Sequence, residues 1–253
     1  MFYWFLKFVA VGPWAQLAFR PRVEGVANVP ESGAAILASN HLSAADWVFM
    51  PLQVRRRVTF LAKAEYFTGR GPKGAAQRAF FAGAGQVPID RSSASAAEDA
   101  IRTGVRILAS GGLLGIYPEG TRSPDGRLYR GKIGVARMAL ETGVPVVPVA
   151  MTYRHRTIPV LGKRLVEVGV RFGAPLDFSR YEGLAGDRFV ERSITDEIMY
   201  EVMTLSGQEY VDVYGAQVKK SMDATGATAD DVINRLLPPP AEAADRAPDT
   251  LAG

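Results

Sequence analysis

The stretch from Glu98 to Tyr117, EDAIRTGVRILASGGLLGIY, decides the fold. Ile101, Val105 and Leu108 recur at the spacing of one helix face, and Gly111-Gly112 stops the pattern, so a helix is read over Glu98 to Ala109. Leu113 to Tyr117 then forms an apolar strand. Helix followed at once by strand is the repeating unit of an α/β sheet.

The same alternation extends in both directions. Ala34 to Ser39 and Arg57 to Ala62 read as strands. Lys132 to Thr142 reads as a helix closed by Gly143, and Val144 to Met151 as a buried strand. Pro145 and Pro148 within that run point to an edge or irregular strand, because proline gives no N–H to a ladder. Val166, Val168, Val170 and Phe172 alternate as in a strand, and Arg188 to Ser206 places Ile194, Ile198, Val202 and Leu205 on one helix face. The predicted fold is α/β, a mixed and mostly parallel sheet flanked by helices, with an N-terminal membrane-associating helical segment. Ligands are then expected at strand ends.

Composition narrows the chemistry. A chain of 253 residues with 47% hydrophobic content can bury one sizeable core. Cysteine is absent and histidine occurs twice, at His41 and His155, which excludes disulfides and thiolate nucleophiles and argues against a zinc site. No metal or cofactor is expected, and the absence of cysteine fits a reducing cytoplasm. The net charge of +4 and the pI of about 9.4 suggest anionic partners without choosing among nucleic acid, acidic lipid and phosphorylated substrate.

Met1 to Phe19 is dense in aromatic and aliphatic residues, interrupted by Lys7 and Gly12-Pro13 and followed by Arg20 and Arg22. It lacks the basic region and cleavage site of a signal peptide. It barely reaches the ~20 apolar residues of a membrane span, and a break is expected at Pro13. Two readings stand: an interfacial anchor on the cytoplasmic face, with Phe2, Tyr3, Trp4 and Trp14 at the headgroups and Lys7, Arg20 and Arg22 meeting anionic lipid, or a helix packed on the protein's own core. The apolar character on nearly all sides favours the anchor. The expected organisation is an anchoring segment at 1–20, a catalytic domain at 21–236 and a disordered, proline-led tail at 237–253.

Asn40-His41-Leu42-Ser43-Ala44-Ala45-Asp46 sets an imidazole beside a carboxylate. Such an imidazole can take a proton from an alcohol, and Asp46 would hold its tautomer. Ser43 to Asp46 also reads as a helix N-cap with an acidic third residue, so Asp46 is equally a capping residue. Both roles are compatible if the helix starts at Ser43 and His41 lies in the loop before it. Two further stretches carry phosphate-binding types: Gly85 to Arg91, ending in Asp90-Arg91, and Tyr117-Pro118-Glu119-Gly120-Thr121-Arg122-Ser123. Gly120 permits close backbone approach, Thr121 offers a hydroxyl, and Arg91 and Arg122 offer forked donors. Glu119 would repel a phosphate, so it is expected to hold an arginine or accept from a substrate hydroxyl. In isolation, Asp90-Arg91 also reads as a surface ion pair and Pro118 to Thr121 as an ordinary turn.

In order, these blocks resemble the glycerolipid acyltransferase family, specifically the bacterial PlsC-like 1-acylglycerol-3-phosphate acyltransferases. Asn40, His41 and Asp46 match the first block, Gly85 to Arg91 the second, Tyr117 to Ser123 the third with Tyr in place of Phe, and Val144 to Met151 the fourth. Phe60 to Glu65 is similar to a segment whose lysine, here Lys63, meets the substrate phosphate. The resemblance implies the glycerolipid acyltransferase fold, His41 as base with Asp46 orienting it, and Lys63, Arg91, Glu119, Gly120, Thr121 and Arg122 around the phosphate and glycerol. It implies lysophosphatidic acid as acceptor, acyl-CoA or acyl carrier protein as donor, an anionic membrane surface, and no covalent acyl-enzyme. His41 must be neutral to act, so activity is expected to climb with pH. Other acceptors, such as a lysophospholipid, glycerol 3-phosphate or a glycolipid, fit the same blocks, and a non-catalytic lipid carrier is disfavoured by the intact His41 and Asp46. Nucleic acid is not expected as a partner, since no recognised binding motif accompanies the basic residues. Arg55 to Arg57, Arg70, Lys73, Arg78 and Lys132 read either as a positive surface for anionic ligands or as solvated faces. Phe67, Phe80 and Phe81 receive no role.

Overall fold

Nine strands and nine α-helices are seen in the computed structural model, which describes residues 1–89, 96–157 and 164–237. In chain order they are α1 (Phe2–Phe5), α2 (Val11–Phe19), β1 (Arg22–Glu24), β2 (Ala35–Ser39), α3 (Asp46–Gln53), β3 (Val58–Lys63), α4 (Gly71–Gly83), β4 (Gln86–Ile89), α5 (Ala96–Ala109), β5 (Leu113–Ile116), β6 (Leu128–Tyr129), α6 (Gly134–Thr142), β7 (Val146–Thr157), β8 (Arg164–Phe172), α7 (Arg188–Ser206), β9 (Tyr210–Val211), α8 (Gly215–Thr225) and α9 (Ala229–Leu236). Seven strands form one sheet in the order β1-β8-β7-β2-β5-β3-β4. From β7 to β4 every pairing is parallel, and β8 turns back antiparallel on β7 with β1 parallel beside it. The mixed, mostly parallel sheet expected from the alternation is therefore present.

The central strand shows how the core is layered. Along β2, Ala35 and Leu37 point into one apolar cluster, with Phe49 and Met50 of α3, while Ile36 and Ala38 point into the other, with Ile101, Leu108, Met138 and Ile194. Helices α5, α6 and α7 thus cover one face, and α2 and α3 the other. Full burial of each large side chain contributes about 2 kcal/mol, which locks α3 to the sheet close to the point where the chain leaves β2.

Of the two expectations for the strand after Val144, an edge or an irregular strand, the structure shows the irregular one. β7 lies inside the sheet, between β2 and β8. Its proline is accommodated because the register slips by one residue between the Val149↔Phe172 pair and the Val146↔Leu176 bridge, and Pro148 falls within that slip.

The N-terminal segment is corrected. The chain does not break at Pro13. It widens into a π-helical turn at Leu6–Ala10 just ahead of the proline, and Gly12 is required there because a Cβ would stand 1.7 Å from the Lys7 carbonyl oxygen. Lys7 does not face outward: its ammonium is buried and donates to the carbonyls of Pro51, at 2.6 Å, and Val54 at the end of α3. Burial pushes its pKa down to about 8. One side of the segment, with Tyr3 and Ala15, packs on the domain, while Phe2, Trp4, Phe5, Phe8, Trp14 and Leu17 remain exposed. Among the described residues no helix is long and apolar enough to cross a membrane. The tail from 238 onward lies outside the described residues.

Candidate active site

Parallel strands deliver their carboxyl ends to one edge of the sheet, and the chain leaves β2, β3 and β5 there carrying His41, Lys63 and Tyr117. Asn40 secures the exit from β2. Its Oδ1 accepts the Met151 N–H at 2.7 Å and its Nδ2 donates to the Met151 carbonyl at 2.9 Å, so a side chain continues the ladder with β7 after the backbone has turned away. Nδ2 also donates to Oε1 of Gln208 at 2.6 Å, which ties this edge to the segment after α7.

His41 Nδ1 lies 2.8 Å from Oδ2 of Asp46. The same oxygen accepts the N–H groups of Leu42 at 2.8 Å and Ser43 at 2.9 Å, and Oδ1 accepts the hydroxyl of Tyr153. Asp46 is the first residue of α3, fully buried at the positive end of the helix. The helix therefore begins two residues later than expected, with Ala45 and not Ser43 at the N-cap; the Ser43 hydroxyl instead accepts the Ala45 N–H. One carboxylate both closes the loop and orients the imidazole. Four hydrogen-bonded neighbours satisfy its two oxygens despite burial. With Nδ1–H directed at Asp46, Nε2 presents its lone pair to an incoming hydroxyl. The ring plane is set by stacking on Tyr117, with centroids 4.0 Å apart and 14° between planes, and Tyr117 rests in turn on Phe60. Burial, followed by the nearby charge of Asp46, pushes the Tyr117 hydroxyl well above its usual range, and among the described residues it has no hydrogen-bond partner.

Glu119 has a different place from the one expected of it. Among the described residues its carboxylate pairs with no arginine and holds backbone instead. Oε1 accepts the His41 N–H at 2.9 Å and Oε2 the Tyr129 N–H at 3.0 Å, and the residue is 1% exposed. Burial pushes its pKa up to about 7, opposed by the two N–H donors and assisted by Asp46. Glu119 thus ties the loop after β5 to the backbone of His41, and a Ser123 N–H donating to the His41 carbonyl at 2.8 Å adds a second tie. Gly120 follows in a left-handed turn with φ +70°, where a Cβ would come 3.0 Å from Cε of Lys132. Thr121 is partly exposed and Arg122 exposed, on the loop that leaves this turn. Lys63 is exposed at the end of β3, across from Ile89 of β4. Arg91 lies outside the described residues. No group of three His, Cys, Asp or Glu side chains able to hold a metal ion occurs among the described residues.

The arrangement can take a proton from a hydroxyl at Nε2 and return it to a leaving group on the same side of the ring. Residues 20–152 match the family model described as Acyltransferase. The chain belongs to the acyltransferase family. His41, Asp46 and Glu119 fall inside the matched stretch of this family member, whereas Tyr153 and Gln208 fall outside it. The chain is 29% identical over 161 residues to a chloroplastic 1-acyl-sn-glycerol-3-phosphate acyltransferase of Arabidopsis thaliana, covering 62% of this chain and 44% of that protein. It is 29% identical over 129 residues to the 1-acyl-sn-glycerol-3-phosphate acyltransferase of Borreliella burgdorferi, covering 51% and 50%. The chain thus spans about half the length of these curated relatives. The crystal structure of the 1-acyl-sn-glycerophosphate acyltransferase PlsC from Thermotoga maritima superposes with a TM-score of 0.50 at 25% identity, covering 75% of this chain and 76% of that one.

Tyr153, Asn40 in its clamping role and Gln208 were not legible as site residues. They act through pairings with partners more than 100 residues away in the chain, which no local pattern records.

Proposed function

We propose that this protein transfers a fatty acyl group from acyl-CoA or acyl carrier protein to the free sn-2 hydroxyl of 1-acyl-sn-glycerol 3-phosphate, at the cytoplasmic face of the membrane. The observation that carries the reading is the His41–Asp46 pair, with Nδ1 held and Nε2 available beside a loop rich in donors. Nε2 takes the hydroxyl proton as the oxygen attacks the thioester carbonyl, and Asp46 stabilises the imidazolium. The tetrahedral intermediate then collapses, the C–S bond breaks, and the imidazolium returns the proton to the departing thiolate. Lys63, Arg91, Gly120, Thr121 and Arg122 hold the phosphate and glycerol, with Glu119 supporting them from behind through the backbone. The exposed aromatic side of α1 and α2, with Arg20 and Arg22 after it, supports an interfacial seat that brings the acceptor to this edge.

Purified protein supplied with palmitoyl-CoA, with and without lysophosphatidic acid, tests the reading by release of free thiol, since the chain adds no cysteine of its own. Thiol release that needs the acceptor and falls by about a hundredfold or more in His41→Ala is the expected result. Near-normal turnover in that variant would sink the mechanism. Release only with other lysolipids or glycerol 3-phosphate would reassign the acceptor.

A further inference from the structure

Asp46 has two carboxylate oxygens, and the loop before α3 serves one of them. Oδ2 receives Leu42, Ser43 and His41; Oδ1 receives the Tyr153 hydroxyl. Tyr153 reaches it because β7 outruns β2. Ser39, the last residue of β2, pairs with Val149, whereas Tyr153 lies four residues further on, where β7 is held by Val168 of β8. A carboxylate anchored at a single oxygen can swing about its Cβ–Cγ bond, and Asp46 has no solvent exposure with which to replace a lost donor.

We propose that Tyr153 is a positioning residue for the reaction: by holding Oδ1 it fixes the Asp46 carboxylate so that Oδ2 stays aimed at Nδ1 of His41 during proton transfer. The proposal rests on the reading of His41 as the base. Tyr153 itself gives up no proton; burial, and then the charge of Asp46, push its hydroxyl upward from the usual phenol range. The titratable groups facing Asp46 are His41 from the loop after β2, Tyr117 and Glu119 from the loop after β5, and Tyr153 from β7.

Tyr153→Phe keeps the ring and removes the hydroxyl, which donates to Asp46 and also bonds the Ser43 side chain. With that anchor lost the carboxylate can swing, Oδ2 leaves its line to Nδ1, and the imidazolium is held less strongly. The acid limb of the thiol-release profile is therefore expected to move to lower pH, kcat to fall by about tenfold, and KM for lysophosphatidate to stay unchanged. Tyr153→Phe added to Asp46→Asn should cost nothing further, because the residue acts through that carboxylate. A second readout needs no turnover: the chain has two histidines, so the His41 resonances can be assigned with His155→Gln and their titration followed by NMR in the full chain. A downward move of the His41 titration in Tyr153→Phe supports the proposal. An unchanged titration overturns it, as does a rise in KM with an unshifted profile. Failure of the wild-type protein to release thiol with any acceptor would instead remove the proposed function, and the NMR result would still stand or fall by itself.

Discussion

Replacing Glu119 by Gln should change how stability depends on pH. The Glu119 carboxyl is buried, and its pKa rises from 4.5 to about 7 on folding. At about 1.36 kcal/mol per pH unit, that rise corresponds to about 3 kcal/mol. The sign follows from which state holds the proton. Between 4.5 and 7 the folded protein retains a proton that the unfolded chain has released, so this contribution is full below 4.5 and is lost as pH climbs through 7. Between pH 5 and pH 8 the wild-type protein should lose most of this contribution, and Glu119→Gln should lack that component. Urea unfolding of both proteins at pH 5, 6, 7 and 8, monitored by tryptophan fluorescence, gives the two curves, and their difference is the measurement. Parallel curves would refute the reasoning. At pH 8 the variant also presents an amide N–H where an oxygen accepts from a backbone N–H of His41 or Tyr129, so kcat should fall while the dependence on lysophosphatidate concentration stays close to wild type.

Tyr117→Phe removes a buried hydroxyl that has no partner among the described residues and keeps the ring beneath His41; a gain of about 1 kcal/mol, or about 2–4 °C in Tm, is expected from thermal melts. Lys63→Ala should raise KM for lysophosphatidate by about tenfold or more with a smaller change in kcat, and a loss confined to kcat would remove Lys63 from the phosphate site. Trp14→Glu, on the exposed side of α2, should weaken sedimentation with anionic vesicles while leaving the melting temperature within a few degrees; unchanged vesicle binding would argue against this face as the lipid contact.

Local pattern determined a large part of this molecule. Ile101, Val105 and Leu108 announce α5 because helical spacing is written in consecutive residues, and Gly111-Gly112 ends it by backbone chemistry alone. The pairing of His41 with Asp46 was legible for the same reason: a carboxylate five residues on can cap the turn that the imidazole precedes. Tertiary structure decided what depends on distant partners. Pro148 argued for an edge or an irregular strand, and the register slip beyond the end of β8 makes β7 the irregular strand inside the sheet. Lys7 looked like a lipid contact until the carbonyls of Pro51 and Val54 supplied it with buried acceptors. Glu119 reads as a ligand residue in a loop, and only the backbones of His41 and Tyr129, brought together by β2 and β6, make it a strut. Tyr153 carries no mark of function in its neighbours, because its role arises where a strand outruns its partner and meets a carboxylate 107 residues earlier in the chain. Periodicity and capping are short-range and survive in the linear chain, whereas the partner of a buried polar group is fixed by the sheet order that places it there.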